Sequence, residues 1–303
     1  MKKISLHIYI VLAVFIVGFI VGSFVDLPLM EAVFSENNTF GLILSVIGTM
    51  PGYGCLAICG GIMFAIALKK EGYSIPYRFI FYFCAAVGAG LSIYFSGREF
   101  FGVNGFYWVA PEWVGYLIAL PVMLGLGYLG YRIGLASDNN RLWLLVMVLM
   151  VAIFIALVPG VSALKTIFHR PRYRIVVRYG YEDFHNWWQR CPNYQDIMTA
   201  TNTGKDEFKS FPSGHVGAAS VFMLCAAFLP VINSKYEKIQ LPVFYAGFVW
   251  TLLIAFSRIL VGAHFLSDVS MGGMITIICL IITYYVVVKG KIGLPKEEQQ
   301  VEE

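Results

Sequence analysis

The sequence predicts an all-α protein, a polytopic transmembrane helical bundle of about eight spans. Hydrophobic residues make up 58% of the 303 residues, and charged residues only 13%. A water-soluble protein carries about 25% charged residues, so a soluble domain is excluded. A spanning helix needs about 20 mainly apolar residues, and several stretches reach that length. They lie at about residues 6–26, 47–68, 77–97, 112–132, 142–163, 214–233, 241–260 and 266–288.

The first stretch follows Met1-Lys2-Lys3, as the apolar part of a secretory signal would. No small-residue cleavage site follows it, and seven more apolar stretches do, so a retained first helix is predicted. Residues 39–50 are moderately apolar and predict a short interfacial helix before Pro51. The fifth and sixth stretches are separated by the polar, aromatic segment 165–212, and a loop of this length is typically functional or disordered.

The distribution of basic residues predicts the orientation. An even number of spans puts both termini on one side. If that side is the cytoplasm, the inner segments hold 12 of the 22 Lys and Arg residues. Eight of the other ten lie in segment 165–212. The positive-inside rule therefore predicts a multi-pass protein of the cell membrane with both termini in the cytoplasm.

The chain is expected to have three parts. Residues 1–141 would form about four N-terminal spans, residues 142–288 a core with the extracytoplasmic loop 165–212, and residues 289–303 a charged cytoplasmic tail. The net charge of +4 is mild, and no nucleic-acid reader motif is present, so nucleic acid is excluded as a partner.

The cysteines indicate neither a disulfide framework nor a metal site. Five of the six lie in apolar stretches. Cys55 and Cys59 share a predicted helix face without a histidine or carboxylate nearby, so they are interpreted as lipid-buried small residues rather than metal ligands.

Three polar clusters border the last spans. The first follows the fifth span and contains Lys165, Arg170 and Arg172. This cluster is either the basic flank of a membrane helix or a phosphate clamp. The second is Phe211-Pro212-Ser213-Gly214-His215, which begins the sixth span. It is either a simple helix cap or an anion site, because free N–H groups at a helix start bind anions.

The third cluster joins the last two spans and runs from Ser257-Arg258 to His264 and Asp268. Residues four apart share a face of a helix, so Asp268 could orient the His264 imidazole. The alternative is an interfacial polar patch. Ionisable groups at the start of an apolar span are expensive and mostly functional, which favours a site.

Spacing predicts that the clusters meet. His215 and Arg258 are 43 residues apart, enough for one crossing, a turn and a return crossing. The second and third clusters would therefore emerge on one side of the membrane, where the fifth span also ends. Cations, a helix start, two histidines and a carboxylate together suit phosphoryl chemistry.

In these residues the chain resembles the type 2 phosphatidic acid phosphatase (PAP2) family, lipid phosphatases related to vanadium haloperoxidases. The family signature is K-x6-R-P, then P-S-G-H, then S-R-x5-H-x3-D, and the last two parts match completely. Lys165 and Arg172 have the spacing of the first part, but Tyr173 follows Arg172, while Arg170-Pro171 lies two residues earlier. Arg172 is therefore the expected ligand, with Arg170 as the runner-up. The resemblance covers roughly residues 142–288, the last four spans, so the PAP2-like helical core would lie in the C-terminal half. Familiar membrane members have a six-helix core, so two of the first four spans predicted here would be additions.

The resemblance implies a role for each matching residue. His264 would be the nucleophile that becomes a phosphohistidine, Asp268 would orient it, and His215 would protonate the leaving oxygen. The phosphate-binding residues would be Lys165, Arg172, Ser213, Gly214 and Arg258. No metal ion and no cofactor is expected, because fixed cations and backbone donors would stabilise the charge.

The expected substrate is a lipid phosphate or diphosphate in the bilayer: phosphatidic acid, phosphatidylglycerophosphate or polyprenyl diphosphate. Trp187 and Trp188 would line the headgroup access or anchor the protein in the interface. The alternatives are a lipid phosphotransferase with the same site and, as a non-enzyme, a lipid or anion transporter. Hydrolysis and phosphotransfer would share the phosphoenzyme step and differ in whether water or an alcohol accepts the phosphoryl group.

Overall fold

The computed structural model describes residues 2–69, 73–101, 113–137, 139–180 and 184–294. Within these ranges every regular element is a helix and there is no strand, so the predicted all-α class is confirmed. Most of the predicted C-terminal tail, from residue 295 onward, lies outside the described residues.

The described part of the N-terminal half consists mainly of apolar helices. They are α1 (Lys2–Val33), α2 (Thr39–Ile47), α3 (Met50–Leu68), α4 (Ile75–Arg98) and α5 (Trp113–Ala136). The Asn38 side chain caps α2 by accepting the Gly41 N–H at 2.9 Å. Proline stands in the first turn of both α3 and α4, where its missing N–H leaves no bond unmade. Glu99–Phe101 extend α4 by a 3₁₀ turn.

The C-terminal half carries all three polar clusters. Its helices are α6 (Leu142–Ile155), α7 (Ala163–Phe168), α8 (Tyr173–Tyr179), α9 (Tyr194–Thr201), α10 (Gly214–Ala226), α11 (Leu229–Ile232), α12 (Glu237–Leu260) and α13 (Leu266–Val288). A π-helical segment, Ala156–Ser162, joins α6 to α7 and contains Pro159. Proline cannot complete the ordinary helical hydrogen-bond ladder, and the wider turn accommodates it without ending the span. The span therefore continues to Lys165.

Seven helical segments within the described ranges are long and apolar enough to cross a membrane, against the eight predicted spans. The exception is the predicted span 214–233, where α10 ends at Ala226 and α11 begins three residues later with Pro230 in its first turn. A proline there cannot continue the ladder of α10. Helix α10 is buried along most of its length, so protein rather than lipid surrounds it.

Together with the shorter α10, the seven segments make eight helical passages in the described residues. At the end away from the three clusters, the Asn139 amide donates to the carbonyls of Val231 (3.1 Å) and Gly293 (2.9 Å). At the same end, His7 lies 2.7 Å from the hydroxyl of Tyr245, near the start of α12. The beginning of α1 and the end of α13 therefore lie together, opposite the clusters.

The two halves of the chain pack directly against each other. A Cβ atom on Gly52 of α3 would lie 1.8 Å from the Ala218 carbonyl oxygen of α10, so only glycine permits this approach. On α1, a Cβ atom on Gly22 would lie 2.5 Å from the backbone nitrogen of Ser267 in α13. The division at residue 141 stays a prediction, and these contacts bring N-terminal helices to the clusters.

Candidate active site

The three clusters meet at one cavity of about 590 Å³. Five of the predicted site residues line it: Lys165, Arg172, Gly214, His215 and His264. The other three, Ser213, Arg258 and Asp268, are fully buried. They do not line the cavity but lie beside residues that do: the Ser213 N–H donates to the Asp268 carbonyl at 2.9 Å, and the Arg258 carbonyl accepts the His264 N–H at 3.3 Å.

His264 lies in the short loop between α12 and α13, where Gly262 adopts a positive φ of 66°. Its Nδ1 is 2.7 Å from the carbonyl oxygen of Ser210. A carbonyl can only accept, so Nδ1 carries the hydrogen and Nε2 keeps its lone pair. Burial lowers the pKa of His264 well below its ordinary value, and the charges of Lys165 and Arg172 act in the same direction, outweighing Asp268. The imidazole is therefore neutral at neutral pH.

Asp268 supports His264 less directly than the helix-face argument predicts, because α13 begins at Leu266 and His264 precedes it. The carboxylate Oδ2 lies 3.9 Å from His264 Nδ1. It accepts hydrogen bonds from the Ser210 hydroxyl at 2.5 Å and the Phe265 N–H at 2.8 Å. Ser210 therefore links the two residues: its hydroxyl binds Asp268, and its carbonyl binds His264.

Arg170 is committed to a buried ionic network. Its guanidinium donates to Asp268 Oδ1 at 2.6 Å and to Asp26 Oδ2 at 2.9 Å, and it lies 4.0 Å over the Phe265 ring. Asp26 also accepts the Ser267 N–H at 3.0 Å. Arg170 is fully buried and does not line the cavity, whereas Arg172 does. This geometry favours Arg172 as the phosphate ligand of the first cluster.

Loop residues hold the cationic side of the cavity. The Lys165 ammonium donates to the Lys209 carbonyl at 2.6 Å. Glu207 lies 3.6 Å from Arg172 and accepts from Arg174 Nε at 2.6 Å. Burial raises the pKa of Glu207, but the charges of Arg172 and Arg174 outweigh burial and hold it below its ordinary value. The loop thus fixes Arg172 through an ionised carboxylate.

His215 stands at the other side of the cavity, with its ring centroid 6.5 Å from that of His264. Its Nε2 lies 3.1 Å from the Ser45 carbonyl oxygen of α2 and 3.2 Å from Oε2 of Glu99. Gly214 is the first residue of α10, so the free N–H groups of that helix start face the same space. The start of α10 and both histidines therefore line the same cavity.

Sequence reasoning missed five residues around the site: Asp26, Ser45, Glu99, Glu207 and Ser210. Asp26 and Glu99 are single carboxylates at the ends of apolar stretches, and a carboxylate in that position is a recognisable signal of function. Ser45 acts through its backbone carbonyl, which any residue type could supply, and Ser210 binds His264 through its carbonyl and Asp268 through its hydroxyl. The sequence contains no signal for them.

The two tryptophans of the loop do not line the cavity. The Trp187 indole N–H donates to the Ser23 hydroxyl of α1 at 2.8 Å, and its ring stacks on Phe211 at 5.6 Å. Trp188 is half exposed. Trp187 thus docks the loop on α1, and the predicted role of the two residues in headgroup access or in interfacial anchoring stays a prediction.

Arg98, Glu99, Asp206 and Lys209 also line the cavity, and the part formed by the interior of the helices is mostly apolar. Its wall comes from α3, α4 and α6 with the following π-helical segment, and includes Leu56, Leu91, Phe95 and Phe154. The cavity is thus charged at one end and hydrocarbon-like at the other. In the described residues, no group of three or more His, Cys, Asp or Glu is arranged to hold a metal ion.

Comparison with known proteins agrees with the C-terminal clusters. Residues 141–291, about half of the chain, match the model of the PAP2 superfamily. No curated protein and no solved structure matches the chain. All three clusters fall within the matched range, whereas Asp26, Ser45 and Glu99 fall outside it.

Proposed function

Because the chain belongs to the PAP2 superfamily, whose members are typically phosphatases, we propose that it is a membrane-embedded lipid phosphatase. It hydrolyses a phosphomonoester or diphosphate of a lipid through a phosphohistidine, without a metal ion. Phosphatidic acid, phosphatidylglycerophosphate and polyprenyl diphosphate are the candidate substrates.

In the first step, His264 Nε2 attacks phosphorus and the bond to the leaving oxygen breaks, while His215 gives that oxygen a proton. The available lone pair on Nε2 and the neutral state of His264 support this role. In the second step, His215 takes a proton from water as the water attacks phosphorus and the P–N bond breaks. His264 returns to its starting state and phosphate is released.

Charge stabilisation comes from the cations at the polar end of the cavity. Lys165, Arg172 and Gly214, the first residue of α10, line it, and Arg258 is fully buried next to His264, whose N–H its carbonyl accepts. Phosphoryl transfer requires mainly positioning and charge neutralisation, which fixed cations and backbone donors supply. The metal-independent mechanism rests on this arrangement.

The single observation that supports a lipid as the substrate is the two-part shape of the cavity. A phosphate at its polar end, between His215 and His264, leaves its hydrocarbon chain beside Leu91 and Phe154. A free sugar phosphate or nucleotide would leave that apolar wall in contact with water, which is unfavourable. The shape therefore favours an amphiphilic phosphate ester.

In the proposed orientation, the active site lies at the extracytoplasmic face of the membrane. The basic residues Lys69, Arg141 and Lys235 lie at the opposite end of the bundle, and basic residues favour the cytoplasmic side. Both ends of the described chain lie there too.

The test is phosphate release from a panel of these lipids in detergent micelles with EDTA present. His264→Ala should lower the rate by more than about 10³-fold, because no other group forms the covalent intermediate. The matched control is His7→Ala, which removes a histidine at the opposite end of the bundle and should keep normal activity. Size-exclusion elution in detergent verifies that each variant is folded.

Release of phosphate by the His264→Ala protein at the normal rate would remove His264 from the nucleophile role. Failure of every substrate in the panel with the unsubstituted protein would reject the phosphatase proposal. A phosphorylated acceptor in place of free phosphate would identify phosphotransfer instead.

A further inference from the structure

A carboxylate from outside the family match reaches into the site. Glu99 follows the last residue of α4, in the N-terminal half, and its Oε2 lies 3.2 Å from His215 Nε2. Both side chains are nearly buried, at 13% and 12% exposure. The pair therefore lies at the cavity but away from bulk water.

Two oxygens share the same nitrogen of His215. The Ser45 carbonyl oxygen is 3.1 Å from Nε2, and a carbonyl can only accept a hydrogen bond. Nε2 therefore carries a hydrogen, with the Glu99 carboxylate beside it. The other ring nitrogen, Nδ1, is then the one that exchanges a proton with a reacting group, and protonating it creates an imidazolium next to Glu99.

The end of α4 holds Glu99 in place for this contact. A Cβ atom on Gly97 would lie 2.3 Å from the Tyr116 ring of α5, so glycine allows α4 and α5 to close here. The Arg98 guanidinium lies about 6 Å over the rings of Tyr94 and Phe95. Burial raises the pKa of Glu99, but the charges of His215, Arg98 and Arg258 outweigh burial and hold it below its ordinary value. Glu99 is thus a fixed anion at neutral pH.

We propose that Glu99 is a positioning residue for the acid–base histidine: it orients His215 through Nε2 and stabilises its imidazolium form. This inference rests on the proposed function and deepens it, because it makes the N-terminal helices part of the active site. The charged groups that face His215 are Glu99, Arg258 and Arg172. The ring of His264, which is neutral, also faces His215 at 6.5 Å between centroids. Burial and the two arginines disfavour an imidazolium and lower the pKa of His215, and Glu99 is the group that opposes them and favours the acid form.

The test compares pH profiles of Glu99→Gln with those of the unsubstituted protein. Glutamine has nearly the same shape without the charge, so His215 should lose its proton at lower pH. In a plot of kcat against pH, the alkaline limb should therefore shift to lower pH by about one to two pH units. At the pH of the unsubstituted protein's alkaline limb, kcat should fall about 10–100-fold, while KM changes little. The acidic limb, set by His264, should stay in place.

Two variants serve as controls. Glu99→Asp keeps the charge and should recover most of the alkaline limb. Glu31→Gln removes an exposed carboxylate of α1 and should leave the profile unchanged. A Glu99→Gln profile that superimposes on the original would overturn the proposal. A loss that is equal at every pH and is not recovered by aspartate would assign Glu99 a structural role instead.

A second measurement does not depend on activity. Diethyl pyrocarbonate modifies neutral imidazole, so its rate of reaction with the His215 peptide, followed by mass spectrometry between about pH 5 and 9, titrates that residue directly. The midpoint should fall by the same one to two units in Glu99→Gln. An unchanged midpoint refutes the inference even if no substrate has been found, and a shifted midpoint supports it even if the phosphatase proposal fails.

Discussion

Arg170 and Arg172 are two residues apart, yet the structure predicts opposite consequences for their loss. Arg170 is fully buried between the carboxylates of Asp26 and Asp268, at 2.9 and 2.6 Å. Arg172 lines the cavity, and its partner Glu207 keeps a second ion pair with Arg174. The Arg170→Met substitution should therefore mainly lower the stability of the fold, whereas Arg172→Met should mainly lower the catalytic rate.

The magnitude follows from the charges left behind. Removing one partner of a buried ion pair costs about 3–5 kcal/mol, and here two buried carboxylates lose the same partner. For a chain of this length 1 kcal/mol corresponds to roughly 2 °C, so Arg170→Met should melt about 6–10 °C lower. The double variant Asp26→Asn, Arg170→Met removes one of the two uncompensated charges and should recover part of that loss.

The assay is thermal unfolding in detergent, combined with phosphate-release kinetics. Arg172→Met should melt close to the unsubstituted protein but lose about 10²–10³-fold in kcat, the typical effect of removing one charge-stabilising donor. An Arg170→Met protein that melts normally while losing activity would show that Arg170 binds the phosphate. That result would refute the assignment of the two arginines.

Two further predictions concern packing and pH. Gly52→Ala should lower the melting temperature by several degrees, because its Cβ would lie 1.8 Å from the Ala218 carbonyl and overpacking costs about 1–3 kcal/mol. Gly90→Ala on α4, where a Cβ meets nothing within 4 Å, should be neutral or slightly stabilising, and equal effects at both sites would contradict the close approach of α3 and α10. The pKa of Glu207 is held low, so its contribution to stability is complete above the ordinary carboxyl value of about 4.3 and is lost as the pH falls through its lowered pKa. Glu207→Gln should flatten this acidic part of a plot of melting temperature against pH, and an unchanged slope would assign the acid sensitivity to other carboxylates.

Features that depend on short stretches of chain were predictable. The all-α class follows from runs of about 20 apolar residues, whatever their partners are. The family follows from short motifs such as Pro212-Ser213-Gly214-His215, and the family match confirms it. The meeting of His215 and His264 follows from one crossing and its return. The chemical roles of these residues stay predictions.

What failed or was missed depends on contacts between distant parts of the chain. The sixth predicted span is apolar for 20 residues, yet α10 ends at Ala226 with Pro230 in the next helix. Helix α10 packs against protein, so it needs neither the length nor the regularity of a lipid-facing span. Composition alone does not distinguish these two surroundings.

The sequence by itself determined a membrane protein with its charged motifs gathered at one end of the bundle, because hydrophobicity and spacing are properties of neighbouring residues. Only the tertiary structure decided which oxygen each histidine binds, and that Arg170 pairs with Asp26 while Arg172 faces the cavity. The physical reason is distance along the chain. The partner of a carboxylate such as Glu99 is more than a hundred residues away in the sequence, and only packing brings the two within hydrogen-bonding distance.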